Sequence, residues 1–76
     1  MVSEHGTARV GSRVRIHDAD GELEFVLVGP EDADAFEERI SIDSPLGSAL
    51  LGRHRGERVS FLAPGGILAV TIVYVG

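Results

Sequence analysis

Three histidines, an acidic run and one well-placed serine are the residues here with the chemistry for metal binding, proton transfer or nucleophilic attack. His5, His17 and His54 are scattered without the close pairing of a zinc site, so no metal or other cofactor is expected. The carboxylates between Glu31 and Glu38 lack the Asp-x-Asp-x-Asp-Gly spacing of a calcium loop and read as a solvated acidic connection. Ser44 has no evident His and carboxylate partners, and its place directly before Pro45 suits a helix cap, whose hydroxyl accepts from free amides of the first turn. Gly52, Gly56 and the pair Gly65-Gly66 do not follow a strand and open a helix beside a lysine, so they are turn residues and not a phosphate cradle. With no cysteine there is neither a thiolate ligand nor a thiol nucleophile. These residues imply no reaction, and the chain is expected not to be an enzyme.

What remains is recognition. Ser44-Pro45-Leu46-Gly47-Ser48-Ala49-Leu50-Leu51-Gly52 carries a cap, a proline suited to the first helical position and an exit glycine. So short a helix is unstable alone in water, so Leu46, Ala49 and Leu50 must pack on something larger. Two turns cannot bury every side, and Leu51 is expected to stay exposed for docking. Arg53, His54 and Arg55 follow the helix and would project from its C-terminal end, where cations also complement the helix dipole.

The elements that must position this segment are strands. Arg13–His17 alternate, with Val14 and Ile16 opposite Arg13, Arg15 and His17, and Asp18-Ala19-Asp20-Gly21 forms a turn. A symmetric hairpin sets Ile16 opposite Leu23, Val14 opposite Phe25, Arg15 opposite Glu24 and His17 opposite Glu22. Gly29-Pro30 ends the second strand, and Ile40-Ser41-Ile42 reads as a short edge segment. Arg58–Leu62 turns through Ala63-Pro64-Gly65-Gly66 into Ile67–Val75, with Phe61 opposite Leu68 and Val59 opposite Val70. That register puts Leu68, Val70, Ile72 and Tyr74 on the core face. Ile67, Ala69, Thr71, Val73 and Val75 form an outer face too apolar for water, so the last strand is expected to be central or part of an interface. The result is an α+β domain, an antiparallel sheet with one short helix packed on it. Residues 1–12 are expected to be a linker or disordered segment and 13–76 the domain.

A chain of 76 residues makes one domain of modest stability. The net charge of −5 disfavours a nucleic-acid backbone as the main partner, although all seven basic residues are arginines and two groups of them, Arg9, Arg13 and Arg15 near the start and Arg53, Arg55 and Arg58 later, leave room for local positive patches. The longest apolar run, Ile67–Val75, is too short to span a bilayer, and the polar Met1–Gly6 does not resemble a signal peptide. A cytoplasmic protein with no membrane contact is expected.

Asp20-Gly21-Glu22, Ile40-Ser41-Ile42-Asp43-Ser44-Pro45-Leu46-Gly47, Ala49-Leu50-Leu51-Gly52, Gly56-Glu57-Arg58-Val59 and Pro64-Gly65-Gly66 together resemble the C-terminal domain of the GreA/GreB family of bacterial transcription elongation factors. The resemblance runs from about Arg13 to Val75, and its most specific part is Ser-Pro-Leu-Gly-x-Ala-Leu-Leu-Gly. It implies an FKBP-like fold and docking at the rim of the RNA polymerase secondary channel. In the family an N-terminal coiled coil enters the channel, and acids at its tip help hold a catalytic magnesium for cleavage of backtracked RNA. Two long heptad-patterned helices are absent from this sequence, so cleavage or inhibition would reside in a coiled coil outside it. The expected partner-binding set is Ser44, Pro45, Leu46, Gly47, Leu50, Leu51, Gly52, Arg53, His54 and Arg55. A second departure is Ile67-Leu68-Ala69-Val70, where family members usually carry charges, and this strand is expected to meet either that coiled coil or a second copy.

Two other readings compete. A free-standing regulator resembling the nucleoside diphosphate kinase regulators shares this domain. An FKBP-like fold also hosts prolyl isomerases, but their pocket needs a wall of aromatics, and only Phe25, Phe36, Phe61 and Tyr74 are available.

Overall fold

The hairpin register expected from the first alternating segment is the one observed in a computed structural model describing residues 7–76. Strand β1 (Arg13–Asp18) pairs antiparallel with β2 (Gly21–Val28), setting Val14 opposite Phe25, Arg15 opposite Glu24, Ile16 opposite Leu23 and His17 opposite Glu22. The Asp18 carboxylate accepts from the amide of Asp20 at 2.8 Å, and Gly21 takes a φ of 125° that a side chain would resist. Two 3-10 turns follow, Pro30–Asp32 and Ala35–Glu37, then β3 (Arg39–Ser41), the helix α1 (Pro45–Leu50), β4 (Arg58–Ala63) and β5 (Gly66–Val75). The five strands form one sheet in the order β3-β2-β1-β5-β4.

The sheet is mixed, which corrects the expectation of a wholly antiparallel one. β3 runs parallel to β2, with Val26, Leu27 and Val28 opposite Arg39, Ile40 and Ser41. A tight turn would force antiparallel pairing. The longer acidic connection, folded into its two 3-10 turns, lets the chain re-enter the edge in the same direction.

The core lies on one face of the sheet, where Val14, Ile16, Phe25, Leu27, Val59, Val70, Ile72 and Val75 meet Leu50 of α1 and Ala8. Leu46, Ala49, Ile40, Ile42 and Phe61 pack around them, half-buried. Burying a side chain like Leu50, wholly removed from solvent, stabilises by about 1.5–3 kcal/mol and gives the six-residue helix support it lacks alone.

Strand β5 lies between β1 and β4, as its apolar sequence suggested, and the expected pairs Val59–Val70 and Phe61–Leu68 are present. Its face assignment needs correction beyond Ile72. Ile16 pairs with Ile72 but Arg15 pairs with Tyr74, so Val73 is an extra residue, a β-bulge. The phase therefore flips, turning Val75 into the core and Tyr74 outward, where the Arg15 guanidinium lies 5.4 Å from the ring centroid. Leu68 keeps its face but is 51% exposed, because only β4 pairs with β5 over its first residues.

Thr7–Ser12, read from sequence as linker, are tied to this body. The amide of Ala8 donates to the carbonyl of Arg53 at 2.8 Å, Gly52 donates to Ala8 at 2.7 Å, and Gly11 donates to Leu27 at 2.7 Å. Ser12 is buried with its hydroxyl accepting from the amide of Arg9 at 3.0 Å. The rest of that segment, including His5, lies outside the described residues.

Candidate functional site: the capped helix and its exit loop

The segment Ser41–Glu57 is held at both ends by hydrogen bonds that its own sequence supplies. Ser44 has an extended backbone, φ −73° and ψ 160°, and its Oγ accepts from the amide of Gly47 at 3.0 Å while donating to the carbonyl of Ser41 at 2.7 Å. Both roles of that hydroxyl are engaged in capping, which leaves it unsuited to nucleophilic attack. The Ser41 hydroxyl accepts from the amide of Asp43 at 2.9 Å, fixing the approach to the helix.

Gly47 explains itself by space. It is buried, and a Cβ there would overlap the carbonyl oxygen of Ser41 and sit 3.0 Å from the Ser44 Oγ. The helix thus approaches β3 more closely than a side chain at this position permits. At the other end the amide of Leu51 donates to Gly47 at 3.0 Å, Arg53 donates to Leu50 at 2.9 Å, and Gly52 turns the chain with a φ of 83°.

The loop after the helix is organised by Glu57, part of the Gly56-Glu57-Arg58-Val59 motif but given no role in the expected contact surface. Its Oε2 accepts from the His54 amide at 2.7 Å and lies 3.1 Å from His54 Nδ1, while its Oε1 is 3.6 Å from the Arg53 guanidinium. The His54 amide, then the His54 ring, hold the Glu57 carboxyl below the usual glutamate range. The available signal was an acid three residues after His54 and four after Arg53. Behind it, Gly56 donates to Ile72 at 2.7 Å and Ile72 donates to Glu57 at 2.9 Å, which fastens the loop to β5. Ala8, the other clamp, gave no signal in sequence.

Of the ten expected contact residues, the structure divides inward from outward. Leu50 is wholly buried and Gly47 is buried, so they position the surface without reaching a partner. Leu46 and Ser44 are half-buried. Pro45, Leu51, Gly52, Arg53, His54 and Arg55 are exposed, and Leu51, the C-cap of the helix, is 40% accessible, whereas Leu46 is half-buried and Leu50 wholly buried. The geometry is a short apolar ridge ending in a cationic loop with a fixed backbone. Such a surface can bind a partner through apolar contact and charge. Among the described residues no cluster of three or more His, Cys, Asp or Glu side chains is placed to hold a metal ion, and no helix is long and apolar enough to cross a membrane.

The model of the family described as "Transcription elongation factor, GreA/GreB, C-term" matches residues 3–76, a span that takes in this whole site. The chain belongs to the GreA/GreB family. It is 45% identical over 67 residues to the transcription elongation factor GreA of Roseiflexus sp. (strain RS-1), covering 86% of this chain and 43% of that protein. It is 50% identical over 56 residues to GreA of Thermodesulfovibrio yellowstonii, covering 71% of this chain and 35% of that one. Among solved structures, the GreA/GreB factor from Nitrosomonas europaea superposes with a TM-score of 0.76 at 39% identity, covering 93% of this chain and 61% of that one. The GreA factor homolog 1 of Thermus thermophilus superposes at 0.80 with 28% identity, covering 100% and 53%. The chain therefore spans less than half the length of the curated GreA relatives it matches, and it has the mixed sheet and short helix of the GreA/GreB C-terminal domain.

Proposed function

We propose that this chain is the RNA polymerase-docking domain of a GreA/GreB-family factor, seated at the rim of the secondary channel. Transcript cleavage or inhibition would then reside in a coiled coil outside this sequence. The observation that carries the reading is the rigid pairing of exposed Leu51 with the cationic Arg53–Arg55 loop, clamped by Glu57, Ala8 and Ile72. A preorganised backbone that carries an apolar residue beside positive charge loses little backbone entropy on binding and favours an acidic protein surface with an apolar centre. The names of the relatives as transcription elongation factors point the same way.

The FKBP-like architecture belongs to this proposal without the isomerase activity found on such folds. The aromatics do not converge: Phe25 is buried in the core, Tyr74 faces out of the opposite sheet face, and Phe36 lies on the acidic connection. A prolyl-isomerase pocket needs them together.

Immobilised bacterial core RNA polymerase should retain the chain, and the double variant Leu51→Asp, Arg53→Glu should lose at least about tenfold in retention, the scale of removing a central contact. Equal retention of both proteins would remove this surface from consideration.

A further inference from the structure

Phe36 is 98% exposed, the most accessible large apolar side chain among the described residues. Single exposed hydrophobics are ordinary. This one differs in how it is held. Its amide donates to the Asp34 carboxylate at 3.0 Å, which caps the 3-10 turn Ala35–Glu37. Glu38 closes the turn in the left-handed region, φ 57° and ψ 43°, and Asp34 and Arg39 exchange both backbone hydrogen bonds, at 3.0 and 2.9 Å. The Asp34 and Arg39 side chains approach to 3.9 Å. The backbone beneath the ring is thus ordered before any partner arrives, and none of the described residues covers the ring.

We infer that Phe36 is a docking anchor that enters an apolar, basic-rimmed pocket on the same partner that α1 contacts, and this inference rests on the polymerase-docking reading. Charge selects the pocket. Glu31, Asp32, Glu37 and Glu38 are all exposed on the same connection as the ring, so a rim of Arg or Lys is complementary, and nucleic-acid phosphate is repelled. Position selects the partner. The edge strand β3 packs against both the Phe36 turn and α1. Three strand residues span about 10 Å and a six-residue helix about 9 Å, a separation that one interface of roughly 800 Å² per side can bridge. A phenyl ring entering a pocket buries about 150–250 Å² and belongs to the side chains that dominate binding energy.

The test is fluorescence anisotropy of the labelled chain titrated with purified bacterial core RNA polymerase, for wild type, Phe36→Ala and Phe36→Leu. Because the ring contributes nothing to the core, all three should melt together. Phe36→Ala should weaken Kd at least about tenfold and Phe36→Leu should recover part of the loss. Tight wild-type binding with an unchanged Kd for Phe36→Ala overturns the anchor while leaving the α1 surface standing. Absence of wild-type binding up to about 100 μM overturns both readings. Self-association of the wild-type chain that Phe36→Ala abolishes, seen by sedimentation, would assign the ring to a second copy and overturn the inference.

Discussion

Gly47→Ala is the substitution whose cost follows most directly from the geometry of the site. In an ordinary exposed helix this change would stabilise by up to about 1 kcal/mol, since glycine is the poorer helix former. Here the added methyl meets the Ser41 carbonyl oxygen and approaches the Ser44 hydroxyl, so either β3 moves or the cap opens. The obstruction is backbone and cannot rotate aside. Overpacking of this kind costs about 1–3 kcal/mol, and partial loss of the cap adds about 0.5–2 kcal/mol. Offsetting the helix gain leaves a net loss of about 0.5–4 kcal/mol, centred on about 2 kcal/mol, which for a domain of this size lowers Tm by about 8–16 °C. Urea denaturation at unchanged m-value and a thermal melt both read it, with Ser48→Ala, exposed one position along the helix, as the control. A Gly47→Ala protein as stable as wild type, or more so, would refute the argument that close approach of α1 to β3 requires glycine.

Other outcomes follow from electrostatics and backbone strain. Hydrogen bonds from Arg15 at 3.0 and 3.2 Å, then from Arg13 at 3.1 Å, hold the Glu24 carboxyl below the usual glutamate range. The stability this contributes is present above about pH 4.5, where an unfolded glutamate titrates, and is lost as pH falls through the lower folded value. The Tm of Glu24→Gln should therefore fall less on acidification than that of wild type, and parallel Tm–pH profiles would contradict the pairing. Glu38→Gly should stabilise by about 0.5–1 kcal/mol, because relief of the left-handed φ of 57° exceeds the added entropy of the unfolded chain, and a lower Tm would contradict it.

Local rules made much of this fold legible. Alternation in Arg13–His17 and a symmetric turn through Asp18–Gly21 set four expected pairs, out to Val14–Phe25, and all four are in the structure. Ser44, Pro45 and Gly52 marked the helix ends because each residue type satisfies a specific backbone need there. What escaped was non-local. The Val73 bulge that turns Tyr74 outward depends on how β1 and β5 meet, and no residue type in Thr71–Val75 announces it. The parallel pairing of β3 depends on the path of the acidic connection, and the clamp at Ala8 depends on a segment with no periodicity. In the site, exposure of Leu51 was readable from helix geometry, whereas the role of Glu57 required the loop to be folded first.

The central claim is that this domain by itself docks on bacterial core RNA polymerase through the exit of α1. An equilibrium titration of the isolated chain against the purified enzyme measures it, run beside the Leu51→Asp, Arg53→Glu variant. Saturable binding in the micromolar range, weakened at least about tenfold in the variant, is the predicted result. No saturable binding of the wild-type chain, or equal affinity of the two proteins, would contradict it.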